Sequence, residues 1–166
     1  MPPAKQFFIP YIDQPTDFWR GVETRYKEHI AAVYFPIPAG ELDTGRPRLP
    51  DRHLETFLRW VKLPKSVLVN PLILRAPFKE CAAAVLEGLE RLVDLPLVRS
   101  VTVADVRLAR AIRQRFPHLR IQGSVLADIH HPCQMEYLEG AFDGLVAASR
   151  IMRDLPALLA LKQAFP

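Results

Sequence analysis

The stretch Val98-Arg99-Ser100-Val101-Thr102-Val103-Ala104-Asp105-Val106-Arg107-Leu108-Ala109-Arg110-Ala111-Ile112-Arg113-Gln114-Arg115-Phe116-Pro117 holds one complete structural unit. Its first six residues form a short run rich in β-branched side chains, which is how a strand reads. Asp105 then stands where a helix N-cap belongs, since its carboxylate accepts from the free N–H groups of a first turn. Val106, Ala109, Ile112 and Phe116 fall on one stripe at helical spacing, with Arg107, Arg110, Arg113 and Arg115 pointing away from it. Pro117 ends the helix.

The same rhythm repeats on both sides of this unit. Further strand-like runs are Phe7–Ile12, Ala31–Phe35, Val67–Asn70, Leu119–Val125 and Gly144–Ala148. Such short apolar runs read as strands buried on both faces. Between them, Cys81, Val85, Leu89, Leu92 and Val93 recur at helical spacing, and a segment from about Asp51 to Lys62 turns Leu54, Phe57, Leu58 and Val61 inward. A last helix starts at Asp154-Leu155-Pro156, a cap with proline in the first turn, and carries Leu158, Leu159 and Leu161. Strand–helix alternation predicts a parallel sheet covered by helices. No Gly- or Ser-rich linker interrupts residues 1–166, so a single α/β domain is expected. The longest irregular stretch, Pro36 to Pro50, follows the second strand on its carboxyl side, where long loops tend to be functional.

Two parallel architectures fit this pattern. An open doubly wound sheet of six strands suits the length directly. A TIM-type (β/α) barrel needs eight units, about 220 residues at the spacing seen here, and typical barrels run to about 250. In that case the 166 residues supply about six units of an incomplete barrel.

Composition narrows the function classes. Apolar residues make up 49% and charged residues 24%, enough apolar surface to offset chain entropy. No apolar run reaches the roughly 18 residues of a membrane-spanning helix, and Met1–Lys5 lacks the pattern of a secretory signal. Cys81 and Cys133 are the two cysteines, too few for a disulfide scaffold, so a cytoplasmic location is expected and no membrane partner. The net charge of +4 is weak support for a nucleic-acid partner. No glycine-rich phosphate loop is present: Gly40 and Gly45 stand too far apart.

Three segments carry a family resemblance. Ser100-Val101-Thr102-Val103-Ala104-Asp105, Phe116-Pro117-His118-Leu119-Arg120-Ile121-Gln122-Gly123-Ser124-Val125 and Phe142-Asp143-Gly144-Leu145-Val146-Ala147-Ala148-Ser149-Arg150 occur in that order. In order and spacing they resemble the U32, or collagenase-like, peptidase family, as does the strand Ala32-Val33-Tyr34-Phe35. The similarity spans roughly residues 30–160. It implies a TIM-type barrel with its chemistry at the carboxyl ends of the strands. Members of the family are peptidases, or take part in oxygen-independent hydroxylation of tRNA or quinone precursors with an iron–sulfur cluster. The four cysteines that usually hold that cluster after the sixth strand are missing here, and Ile151 stands where the family commonly places a glutamate. No cofactor is therefore expected on this chain, and a cluster would need cysteines further downstream.

Candidate chemistry concentrates where strands end. Asp13, Asn70 and Asp105 follow the first, third and fourth strands and are read as substrate-binding, with helix capping as the plainer role of Asp105. Asn70 stands out because an amide at a buried strand end seldom serves packing alone. Ser124 and Arg150 follow the fifth and sixth strands. Ser124 lacks the Gly-x-Ser-x-Gly elbow of an activated nucleophile, so no catalytic residue is assigned. Arg150 could clamp a carboxylate or phosphate, or pair with Asp154. The densest polar cluster, Asp128-Ile129-His130-His131-Pro132-Cys133, offers Asp128, His130, His131 and Cys133 as metal ligands, against a capped turn with Cys133 packed inside. The arginine helix is a candidate RNA surface, with a solvated outer face as the plainer reading.

Together these readings favour a barrel portion of an enzyme that binds a peptide, an RNA base or an aromatic precursor. The alternative is a non-catalytic binding or assembly subunit, whose open sheet edges pair with a second copy or a completing chain.

Overall fold

The computed structural model describes residues 6–38, 52–70 and 77–165. The expected helix start at Asp51 and residues 39–50 of the long loop lie outside the described residues. Six parallel strands form one sheet: β1 (Phe7–Pro10), β2 (Ile30–Pro36), β3 (Lys65–Val69), β4 (Val98–Val103), β5 (Arg120–Gly123) and β6 (Gly144–Leu145). Their order across the sheet is their order in the sequence, β1-β2-β3-β4-β5-β6. A doubly wound sheet must reverse its order once, and this one does not. The sheet curls into a half-barrel.

Helices α1 (Thr16–Tyr26), α2 (Leu54–Trp60), α3 (Phe78–Val93), α4 (Val106–Arg115), α5 (Met135–Leu138) and α6 (Leu155–Ala164) fill the crossovers. Right-handed crossovers that always step in one direction lay their helices on one face of the sheet. The core confirms this arrangement. Val33 and Phe35 of β2, Val67 and Val69 of β3, Val101 and Val103 of β4 and Ile121 of β5 share one cluster with Trp19, Phe57, Val85, Leu89, Leu108, Ile112 and Leu161 from the helices.

The other face of the sheet is different. The register aligns Tyr34, Ser66, Ser100 and Arg120 in one row and Pro36, Leu68, Thr102, Gln122 and Gly144 in the next. Ser66 and Thr102 share a hydroxyl–hydroxyl bond of 3.2 Å. Tyr34, Ser100, Thr102 and Gln122 are only half-buried. The expectation of strands buried on both faces therefore holds for β3 but fails for β4 and β5, where no helix among the described residues covers this side. The inside of a closed barrel is packed with branched apolar side chains, whereas this concave face carries the hydroxyls of Tyr34, Ser66, Ser100 and Thr102 and the Gln122 amide alongside Pro36 and Leu68.

The amino-terminal rim is tied by charged groups. Lys65, fully buried at the start of β3, donates to the carbonyls of Val61 (2.6 Å), Leu63 (3.3 Å) and Pro96 (3.3 Å). Its Nζ also stands 5.4 Å from the centre of the Phe57 ring. Asp143, just before β6, accepts from the Ile121 amide and from Arg113, both at 2.7 Å. Burial raises the Asp143 carboxyl, but these partners outweigh it and hold the group below its usual range.

Two sequence expectations shrink. The sixth run yields only Gly144–Leu145 as strand, and the first ends at Pro10 instead of Ile12. Among the described residues no helix is long and apolar enough to cross a membrane.

Candidate functional site at the carboxyl rim

Asn70, Ser124, Asp13 and Asp105 follow β3, β5, β1 and β4, so all four stand at the carboxyl ends of the strands. Asn70 and Ser124, buried and separated by β4, meet: Asn70 Nδ2 donates to Ser124 Oγ at 3.0 Å. Ser124 Oγ also accepts from the Leu126 amide at 3.2 Å, capping the one-turn 3-10 helix Val125–Ala127. With two donors already pointing at it, the hydroxyl has its own hydrogen left to give. The Asn70 amide oxygen, in a residue only 3% exposed, has no hydrogen-bond partner among the described residues. A buried acceptor left bare costs about 1–3 kcal/mol. Turning the amide over would exchange its ends and leave a bare NH2 group instead, so one end is unpartnered in either orientation.

Asp13 is drawn into a local network. Its Oδ1 accepts from the Tyr11 hydroxyl at 3.1 Å and from the His53 backbone amide at 2.9 Å, and lies 3.3 Å from His53 Nδ1. The His53 amide, more than any other group, holds the Asp13 carboxyl below its ordinary range. Beneath it, Tyr11, Trp19 and Phe57 pack with ring centres 4.8–5.7 Å apart. His53 was not among the residues singled out in the sequence. Its one signal was position, at the carboxyl side of β2 just ahead of α2.

Asp105 is a helix cap, its side chain accepting from the Arg107 amide (2.8 Å) and the Leu108 amide (3.4 Å). The Arg107 guanidinium beside it holds its carboxyl low. Arg150 pairs with Asp128 and stands 3.1 Å from His130 Nδ1. Asp154, the alternative partner, instead caps α6 through the Ala157 amide.

His131 caps the one-turn helix Pro132–Gln134, and its Nδ1 lies 3.2 Å from the Cys133 amide and 3.0 Å from Cys133 Sγ. Cys133 is exposed, not packed inside, because Met135 and Leu138 take the inward positions. Asp128 and His130 thus face Arg150 while His131 turns to Cys133. Among the described residues no three His, Cys, Asp or Glu side chains are grouped to hold a metal ion.

The arginines of α4 are likewise occupied. Arg107 binds Asp105, Arg110 the Tyr137 carbonyl, Arg113 the Leu119 carbonyl and Asp143, and Arg115 Glu90.

No family model matches the chain, and no curated protein matches it in sequence. The chain is similar in structure to the U32 peptidase Mk0906, with a TM-score of 0.74 and 14% identity, over 100% of this chain and 67% of that one. At that identity the likeness speaks for the fold alone. It supports an α/β half-barrel of the kind the U32 resemblance implied.

Proposed function

We propose that the chain is the substrate-binding part of a barrel enzyme of the collagenase-like peptidase type, and that it takes an extended peptide at the carboxyl rim. The observation that carries this reading is the buried Asn70 amide with one end unpartnered beside a Ser124 hydroxyl that still has a hydrogen to give. A residue of an extended peptide turns its own N–H and C=O to the same side, so it offers a donor and an acceptor to this pair, with Ser124 donating in one orientation of the Asn70 amide and accepting in the other. RNA is the weaker candidate, since every arginine of the α4 stripe is already engaged within the protein. An aromatic precursor carries hydroxyl or carboxyl groups but no N–H and C=O repeated along an extended backbone.

Calorimetric titration of unstructured peptides into the protein tests the reading. Saturable binding to the wild type is expected, weakened at least tenfold in Asn70→Leu, about 1.4 kcal/mol. Equal affinity of the two proteins, or no binding by either, overturns it.

A second reading, a non-catalytic assembly subunit, is favoured by where apolar side chains stay exposed. Phe7, Phe8, Ile12 and Phe18 flank the β1 edge, and Val146, Met152, Leu155 and Leu159 flank the β6 edge. Mass spectrometry of peptides incubated with the protein separates the two, because only the enzyme reading predicts new termini.

A further inference from the structure

We propose that His53 is the proton-accepting group of the carboxyl rim, held in one tautomer by Asp13. This inference rests on the peptide-binding reading above and adds to it the residue that handles the proton.

The argument begins with placement. Asp13 lies three residues past β1 and His53 directly ahead of α2, after β2, so neighbouring strands deliver the pair to the rim that holds Asn70 and Ser124. The two are 40 residues apart in sequence. Both the His53 backbone amide and the His53 ring address the same oxygen, Asp13 Oδ1. The ring makes no cap for α2, although His53 occupies the cap position, because it is turned to the carboxylate.

An ionised carboxylate accepts and has no proton to give. The short list of donors around Asp13 keeps it ionised. The hydrogen of the contact therefore sits on His53 Nδ1, which leaves Nε2 as a bare acceptor with no partner among the described residues. A carboxylate fixing one ring nitrogen so that the other acts is the recurring logic of imidazole bases.

Burial divides the pair in the same sense. The Asp13 side chain is 14% exposed and the His53 side chain 40%, so the orienting group is withdrawn and the imidazole reaches solvent. The Tyr11–Trp19–Phe57 stack fixes the Tyr11 hydroxyl that completes the Asp13 shell.

The step itself needs only water. Nε2 takes a proton from a water molecule as its oxygen bonds to the peptide carbonyl carbon. The carbon–nitrogen bond then breaks, and the amine leaves with the proton returned from Nε2. Asp13 is a positioning residue, acting through His53.

Two measurements on the full chain test the proposal. Long-range nitrogen–proton NMR of the wild type is expected to show His53 protonated at Nδ1 and bare at Nε2, with that preference lost in Asp13→Asn. A wild-type His53 protonated at Nε2 overturns it without any variant having to fold. In peptide hydrolysis, His53→Gln is expected to lower kcat by about 10²–10⁴-fold with KM unchanged, as removal of a general base does. His118→Gln, at an exposed position away from the rim, is expected to match the wild type. Binding of peptide by a wild type that never hydrolyses it overturns the base assignment while the binding reading stands. Failure of the wild type to bind peptide removes the binding reading and leaves the tautomer to be judged by NMR.

Discussion

Lys65 is the side chain whose chemistry is least like its ordinary self. It is fully buried, it meets three carbonyl dipoles and an aromatic ring, and none of its hydrogen-bond acceptors is a carboxylate. Burial pushes its ammonium down to about 8, with the Glu23 charge pulling weakly the other way. Between about pH 8 and the ordinary lysine value the unfolded chain binds a proton that the folded chain has released. Stability is therefore expected to rise with pH across that window, by on the order of 3 kcal/mol. Urea unfolding at a series of pH values checks this, and Lys65→Met should flatten the slope. Thiols give a second residue-level expectation. Iodoacetamide should label exposed Cys133 in the folded protein and spare buried Cys81 until the chain unfolds. What could be read at this scale from sequence depended on range. Asn70 and Ser124 stood out because strand ends are visible in a run of apolar residues. His53 did not, since its meaning comes from a carboxylate 40 positions earlier. The packed-inside alternative for Cys133 fails because the short helix after it supplies its own apolar side, Met135 and Leu138.

Helix α4 shows what a segment can announce about itself. Its cap, stripe and stop are all local signals, and it occupies Val106–Arg115 with Asp105 accepting from two backbone amides. Asp105→Ala should cost about 1 kcal/mol in chemical denaturation, the usual worth of such a cap. Helix α6 was legible for the same reason, through Asp154 and Pro156. Helix α3 was less so at its start: it begins at Phe78 after Pro77, with no side chain capping it, so only the apolar stripe marks it. The arginine stripe of α4 gave an ambiguous signal because, Asp105 apart, its partners Glu90, Leu119, Tyr137 and Asp143 lie outside the helix and its cap.

Strand order is a property of the whole molecule, and the βα rhythm alone is compatible with either order. The three resembling segments tipped the expectation towards a barrel, and the sequential order agrees with them. The strands themselves carry a mark of this. Ser66, Ser100, Thr102 and Gln122 alternate with valines and an isoleucine, which marks one face without a helix cover. Part of the apolar exposure lies at the two sheet edges, β1 carrying Phe7 and Phe8 and the β6 side Leu155 and Leu159, with Trp60 and Tyr137 exposed elsewhere. Edges of this kind invite pairing. Sedimentation velocity should show concentration-dependent association of the wild type, reduced in Phe8→Lys combined with Leu159→Lys. Sequential order also bears on how the chain folds. Every strand's first partner is the one synthesised just before it, so the sheet can lengthen one rung at a time as the chain emerges, without waiting for a distant stretch to arrive. Contacts between near neighbours close small loops, and small loops close fast.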